Sequence, residues 1–306
     1  MIQIGCNYIV NQDRKNSNDN LYSYLVKNNY IDILKFPGKL CNYVEFYNCL
    51  NLAKKINIKI DLHGLPNMEP RTHSKRMLKN IEWDKLPDNL MLLNNKKRIS
   101  THIGAENNEN INESKYILNE NIKYLKDKFY EKYNEEIKFG GENQSGGYKL
   151  PLVEISPKTI SETWNILDFG VFDISHAKLA AIDLKISYDD YLKSLFNKEK
   201  VKILHVSGNV DKTGKFEDKV DKHLIMDKTE IKDIIKTIKE FKNLDLIISE
   251  FAFNSKYSFK KELLIEMCTL NKIVETLDEK ESIKTYDYLS ANLDDDLSNL
   301  ECIKSI

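Results

Sequence analysis

Phe169-Gly170-Val171-Phe172-Asp173-Ile174-Ser175-His176 is the stretch that decides the fold. Its apolar residues run together without polar alternation, as in a strand buried on both faces of a parallel sheet. It ends in a carboxylate, with an imidazole three residues later. Val201-Lys202-Ile203-Leu204-His205 repeats the pattern, an apolar run closed by a histidine. Working outward, similar runs appear at Ile2-Tyr8, Ile31-Phe36, Ile56-Leu62, Ile99-Ile103, Glu136-Gly140 and Leu244-Phe251.

Between the runs lie stretches with helical spacing: Leu40-Lys55, Ser114-Tyr133, Ser156-Leu167, Lys228-Phe241 and Ser258-Leu277. Ser156-Pro157 supplies a cap followed by a first-turn proline. Strand and helix alternating through eight strands predict an α/β chain whose parallel sheet closes into a (β/α)8 TIM barrel. The 306 residues suit one such domain over 1–275, with a basic excursion at 71–98 and an acidic C-terminal extension at 276–306. The excursion Arg71–Arg98 holds eight Lys/Arg against three Asp/Glu. It reads as a solvated lid or as a contact for an anionic substrate, and because it follows a strand end it belongs on the active face.

Composition narrows the function. The 46 basic and 47 acidic residues leave a net charge of −1, unlike the basic excess of an electrostatic duplex-DNA binder. No apolar run is long enough to span a bilayer, and Met1-Ile2-Gln3-Ile4-Gly5 reads as a strand rather than a signal peptide. The five cysteines are an odd number with no CxxC pair, which disfavours a thiolate zinc site or a disulfide framework and suggests a cytoplasmic protein.

The polar residues are more informative. His63, His102, Glu142, Asp173, His205 and Glu250 each end or directly follow an apolar run, about 30 to 45 residues apart, the span of one βα unit. In a barrel these ends converge on one mouth. His176 follows Asp173, and Asp221-Lys222-His223 arrives in the loop after the seventh run. One strand-end histidine alone is usually a satisfied polar group. Five imidazoles and four carboxylates in one volume would suffer repulsion and desolvation unless cations neutralised them. His63, His102, Glu142, Asp173, His176, His205, Asp221, His223 and Glu250 are therefore expected metal ligands for iron, zinc or manganese. Asn143 is expected to orient a ligand or donate to substrate, and Gly140-Gly141 and Gly146-Gly147 to let the backbone approach metal or substrate. His73 is expected to be no ligand.

This set resembles the xylose-isomerase-like metal barrels. Phe169 to Lys178, Leu204-His205-Val206-Ser207-Gly208 and Glu142 to Tyr148 are similar to motifs of the multinuclear non-heme iron-dependent oxidative enzymes. That resemblance implies two or three iron ions. It also implies O₂-dependent modification of a short cysteine-containing precursor peptide, with or without a peptide-binding partner protein. Glu142 and Glu250 would bridge the ions. Two enzymatic alternatives stay open: an endonuclease IV-like trinuclear zinc phosphodiesterase, the one reading that brings DNA as partner, and a sugar isomerase or epimerase needing fewer ions. A metal-dependent scaffold is the non-enzymatic reading. Lys35, in the second run, is a departure where many relatives carry a carboxylate.

Overall fold

The structure, a computed structural model, describes residues 1–8, 15–38, 42–68, 71–104, 111–144, 155–208, 223–251 and 259–294. Eight strands close a barrel in sequence order: β1 (Gln3–Asn7), β2 (Ile33–Phe36), β3 (Lys59–His63), β4 (Asn94–His102), β5 (Lys138–Glu142), β6 (Phe169–Asp173), β7 (Val201–Val206) and β8 (Leu246–Ser249). Every pairing is parallel, and β8 returns to β1 through Gln3 opposite Leu246. All eight expected strands are present, and the fold is a closed (β/α)8 barrel.

Period-two alternation sorts each strand into an inward and an outward set. The outward residues, among them Leu34, Phe36, Ile60, Leu62, Phe172, Leu204 and Ile247, join the helices in one large core. The inward residues Ile33, Phe169, Val171, Ile203, Leu246 and Ile248 form a separate apolar cluster that fills the barrel. Beside this filling, Arg98 donates to Asp61 at 2.9 Å and to Asp245 at 2.7 Å, all three on neighbouring strands or strand ends. The guanidinium lies 5.7 Å from the centre of the Phe169 ring.

Local chemistry sets the helix starts. Asn42 and Glu45 form a reciprocal capping box at the helix Tyr43–Lys55, and Asp227 and Glu230 form another at Lys228–Glu240. Such a cap contributes about 1 kcal/mol. Ser156 and Pro157 open the helix Pro157–Ile166. Its Trp164 is fully buried and donates from Nε1 to the Gly141 carbonyl at 2.8 Å.

The glycines of β5 serve packing rather than ligand approach, which corrects the sequence reading. A Cβ on Gly140 would lie 2.2 Å from the Phe169 ring, and one on Gly141 would lie 2.5 Å from Leu167. The space they leave is filled by core side chains. Gly146 and Gly147 lie outside the described residues.

The 71–98 excursion packs Met77, Leu78, Leu86 and Leu90 into the main core. Its first residues extend the end of β4: Thr72 N donates to His102 O and His73 N to Gly104 O, both at 2.9 Å. It therefore borders the mouth. The acidic extension forms the helix Glu279–Asn292, whose Ser282, Thr285 and Leu289 are buried against the helices Phe259–Thr276 and Lys228–Glu240. No helix among the described residues is long and apolar enough to cross a membrane.

Candidate metal centre

β5 ends at Glu142, fully buried at the centre of the mouth. Its Oε2 lies 3.1 Å from His205 Nδ1, 3.3 Å from His63 Nε2 and 3.7 Å from His102 Nε2, and its Oε1 lies 3.1 Å from His176 Nδ1. Glu250, directly after β8, approaches from three strands further round the barrel. Its Oε1 is 3.1 Å from His205 Nδ1 and its Oε2 is 3.5 Å from His223 Nδ1. Three overlapping donor sets result, each with its ligand atoms within 4.8 Å of one another. They are His63, Glu142 and His205; His102, Glu142 and His176; and Glu142, Asp173, His205 and Glu250.

Seven of the nine expected ligands thus converge: His63, His102, Glu142, Asp173, His176, His205 and Glu250. His223 stands at the rim with about a third of its side chain exposed. Asp221 lies outside the described residues. His73 belongs to none of the donor sets found among the described residues and bonds to Thr72 Oγ1 at 2.9 Å.

The strand ends are braced from outside. Asp173 caps the helix Ile174–Leu184, its Oδ1 accepting from His176 N at 2.7 Å, so the D-x-x-H turn holds both donors by one bond. His176 Nδ1 lies 2.8 Å from the Asn143 carbonyl, which can only accept, so Nδ1 carries the proton and Nε2 keeps the lone pair. His63 Nδ1 meets Ser100 Oγ at 3.1 Å. Such outer partners fix ring orientation and tautomer in metal sites.

Of the two roles expected of Asn143, its bonds fit the orienting of a candidate ligand. Its Oδ1 accepts from Asp173 N at 2.7 Å, and its Nδ2 donates to Asp173 O at 3.0 Å. Both ends of the amide are committed to backbone.

The electrostatics favour neutral ligands. Burial, reinforced by the Lys35 charge, pushes His205 down to about 4 and holds His63 well below the ordinary imidazole range. Both rings therefore offer lone pairs at neutral pH. Both Glu142 oxygens and His205 Nε2 are buried without a hydrogen-bond partner. A carboxylate in that state costs several kcal/mol unless a cation sits beside it. Imidazole with carboxylate and no thiolate suits Mn, Fe or Zn, so the residues fit a metal ion.

Lys35, noted in the sequence as a departure and not counted among the ligands, belongs to this mouth. It projects inward from β2, almost fully buried, touches Glu250 Oε1, and stands 3.5 Å from His205 Nδ1. The signal was present: a lysine between Leu34 and Phe36 in an otherwise apolar buried strand. A residue that sequence reasoning missed is Glu266. Fully buried, it accepts from Ser249 Oγ at 2.5 Å and from Met226 N at 3.1 Å, and so braces the residue before Glu250.

Fold and donor set together define a (β/α)8 barrel whose mouth gathers residues able to hold a metal ion. Among solved structures, the chain is similar to a D-tagatose 3-epimerase-like protein at 16% identity, covering 90% of this chain and all of that one, TM-score 0.58. It is also similar to the D-allulose 3-epimerase of Methylomonas sp. at 9% identity, covering 95% of this chain and 96% of that one, TM-score 0.51. No protein-family profile matches the chain, and no curated protein sequence does. The expectation of iron-dependent peptide oxidation is corrected by these neighbours. Both of these barrels, named as epimerases, share their fold with this chain over most of its length.

Proposed function

We propose that the protein is a metal-dependent sugar isomerase or epimerase acting on a ketose. The observation that carries this reading is the four-residue set Glu142, Asp173, His205 and Glu250, one donor from each of the last four strands, all buried. Three carboxylates and one imidazole around one point suit a single divalent ion. Bound there, such an ion supplies Lewis-acid polarisation of a carbonyl and lowers the barrier to removing the neighbouring C–H proton.

The chain's own groups do the rest. Inverting a carbon beside a carbonyl needs a proton taken from one face and a proton returned on the other. Glu142 ends β5 and Glu250 directly follows β8, and each lies 3.1 Å from His205 Nδ1. One carboxylate acts as base and the other as acid, exchanging roles in the reverse direction. The buried imidazoles hold water away from the reacting centre. The two epimerase neighbours support the reading through the fold they share with this chain.

The test is incubation of Mn²⁺-loaded protein with D-allulose, D-tagatose and D-fructose in D₂O. New epimer or aldose, with deuterium beside the carbonyl, is the expected result. Protein that binds Mn²⁺ but exchanges no proton with any of the three overturns the reading.

A further inference from the structure

We propose that Asn7 is a sugar-recognition residue, its side-chain amide bonding a hydroxyl of the ketose on the side of the mouth that supplies no metal donor. The assignment rests on the ketose reading above and deepens it, by naming a residue that selects the substrate.

The donors occupy only part of the ring. Among the described residues, the three sets draw on β3 to β7 and on Glu250 after β8, and β1 and β2 contribute none. Ile4 and Cys6 of β1 face outward into the core shared with the helices. Gly5 faces inward, since a Cβ there would meet Ile33 and Ile248 of the barrel filling. Asn7, two residues on, shares the inward face one layer nearer the mouth. In register it stands between Lys35, its partner on β2, and Glu250, the residue after the Ser249 that pairs with Cys6. It therefore neighbours one of the two carboxylates assigned to proton transfer.

The backbone of Asn7 is held while its amide is spare. Tyr22, fully buried on the helix Lys15–Lys27, donates from Oη to the Asn7 carbonyl at 3.0 Å. The next residue, Tyr8, donates from N to Lys35 O at 2.8 Å. Asn7 Oδ1, by contrast, is buried with no hydrogen-bond partner among the described residues. Asn143, the other asparagine of this rim, has both ends of its amide bonded to backbone. An unpaired buried amide oxygen is unfavourable and asparagine is a poor strand former, so packing alone does not account for Asn7. The residue is only half-buried, and turning the amide about its Cβ–Cγ bond forfeits no bond at the oxygen. An amide both donates and accepts, which matches a hydroxyl.

The experiment titrates the Mn²⁺-loaded native chain, Asn7→Leu and Asn7→Ala by calorimetry. The probes are D-allulose and allitol, a polyol with no carbonyl to react. Asn7→Leu keeps the volume of the side chain, and Asn7→Ala carries the test if it does not fold. Loss of one hydrogen bond is expected to weaken binding of both probes by about 3- to 10-fold and to raise KM for D-allulose by a similar factor. Mn²⁺ affinity is expected to stay the same, and the metal-free variants to unfold at the native temperature or above it, because an unpaired polar atom has been removed. An unchanged Kd for both probes in a folded variant overturns the proposal. So does a parallel loss of Mn²⁺ affinity, which would make Asn7 part of the ion site, or a native chain that binds neither probe. Allitol binding weakened by the substitutions, with no proton exchange by the native chain, would sink the epimerase reading and leave Asn7 as a polyol-recognition residue.

Discussion

Asn143 and Asp173 are joined like two rungs of a ladder, the side-chain amide of one bonded to both backbone polar groups of the other at 2.7 and 3.0 Å. The amide continues the β5–β6 pairing beyond its last backbone rung. It thereby fixes the two residues that carry Asp173 and His176 into the mouth. Asn143→Ala removes that rung and is expected to weaken Mn²⁺ binding by about 10- to 100-fold, the usual cost of losing an outer partner of a ligand. Calorimetric titration would measure it, and an unchanged Kd would show that the pairing does not position the centre.

Glu142→Gln tests the residue common to all three donor sets. The variant keeps the shape and removes the charge. Mn²⁺ at about 100 times its Kd should stabilise the native chain by about 2.7 kcal/mol and the variant hardly at all. Thermal unfolding with and without Mn²⁺ would show it; an equal upward shift in both proteins would mean that the ion binds elsewhere.

Glu266 gives a pH dependence in the metal-free chain. Burial raises its carboxyl to about 7, above the ordinary glutamate value, so the folded state holds the proton more tightly than the unfolded state. This contribution is fully present below the unfolded pKa, and it falls away as pH rises from about 4.5 to about 7. Glu266→Gln imitates the protonated acid, its carbonyl accepting from Met226 N and its amide donating to Ser249 Oγ. The variant should match the native chain at about pH 4 and exceed it by up to about 3 kcal/mol at about pH 8, read from urea denaturation. Equal stability at both pH values would count against a buried, proton-holding Glu266.

The loops after β2 and β3 touch backbone to backbone. A Cβ on Gly38 would lie 2.3 Å from the Gly64 carbonyl carbon, and Gly64 has φ 88°. Gly38→Ala should therefore cost about 1–3 kcal/mol, an overpacking that backbone cannot relieve cheaply. It should also displace His63, the neighbour of Gly64, and weaken metal binding. Urea midpoints and Mn²⁺ titration together would check this, and a variant as stable as the native chain would mean the two loops separate freely.

Much of this was legible in the sequence because a barrel turns spacing into convergence. Apolar runs closed by His63, His102, Glu142, Asp173, His205 and Glu250 could meet at only one end of a parallel barrel. What stayed hidden depended on side-chain partners. Nothing in Gly140-Gly141 announces that Phe169 and Leu167 fill the space above them. Asn143 looked available for substrate because its partner is the backbone of a residue about 30 positions away. Glu266 sits in an ordinary helical stretch, and only the packing of that helix under Ser249 gives it a role. The function was misjudged for a related reason. The count of ligands suggested several irons, while the charge on Lys35 and the shape of the barrel bear on chemistry that a ligand count does not register.

Glu142 is the one residue shared by His63–Glu142–His205, His102–Glu142–His176 and the four-residue set. Loss of any single histidine leaves at least one of the three intact, whereas loss of Glu142 breaks all three and leaves only Asp173, His205 and Glu250 together. Along a lineage of such barrels, histidines could be traded one at a time, each intermediate still able to hold an ion somewhere in the mouth. The centre could drift across the barrel and change its chemistry gradually, pivoting on a single carboxylate.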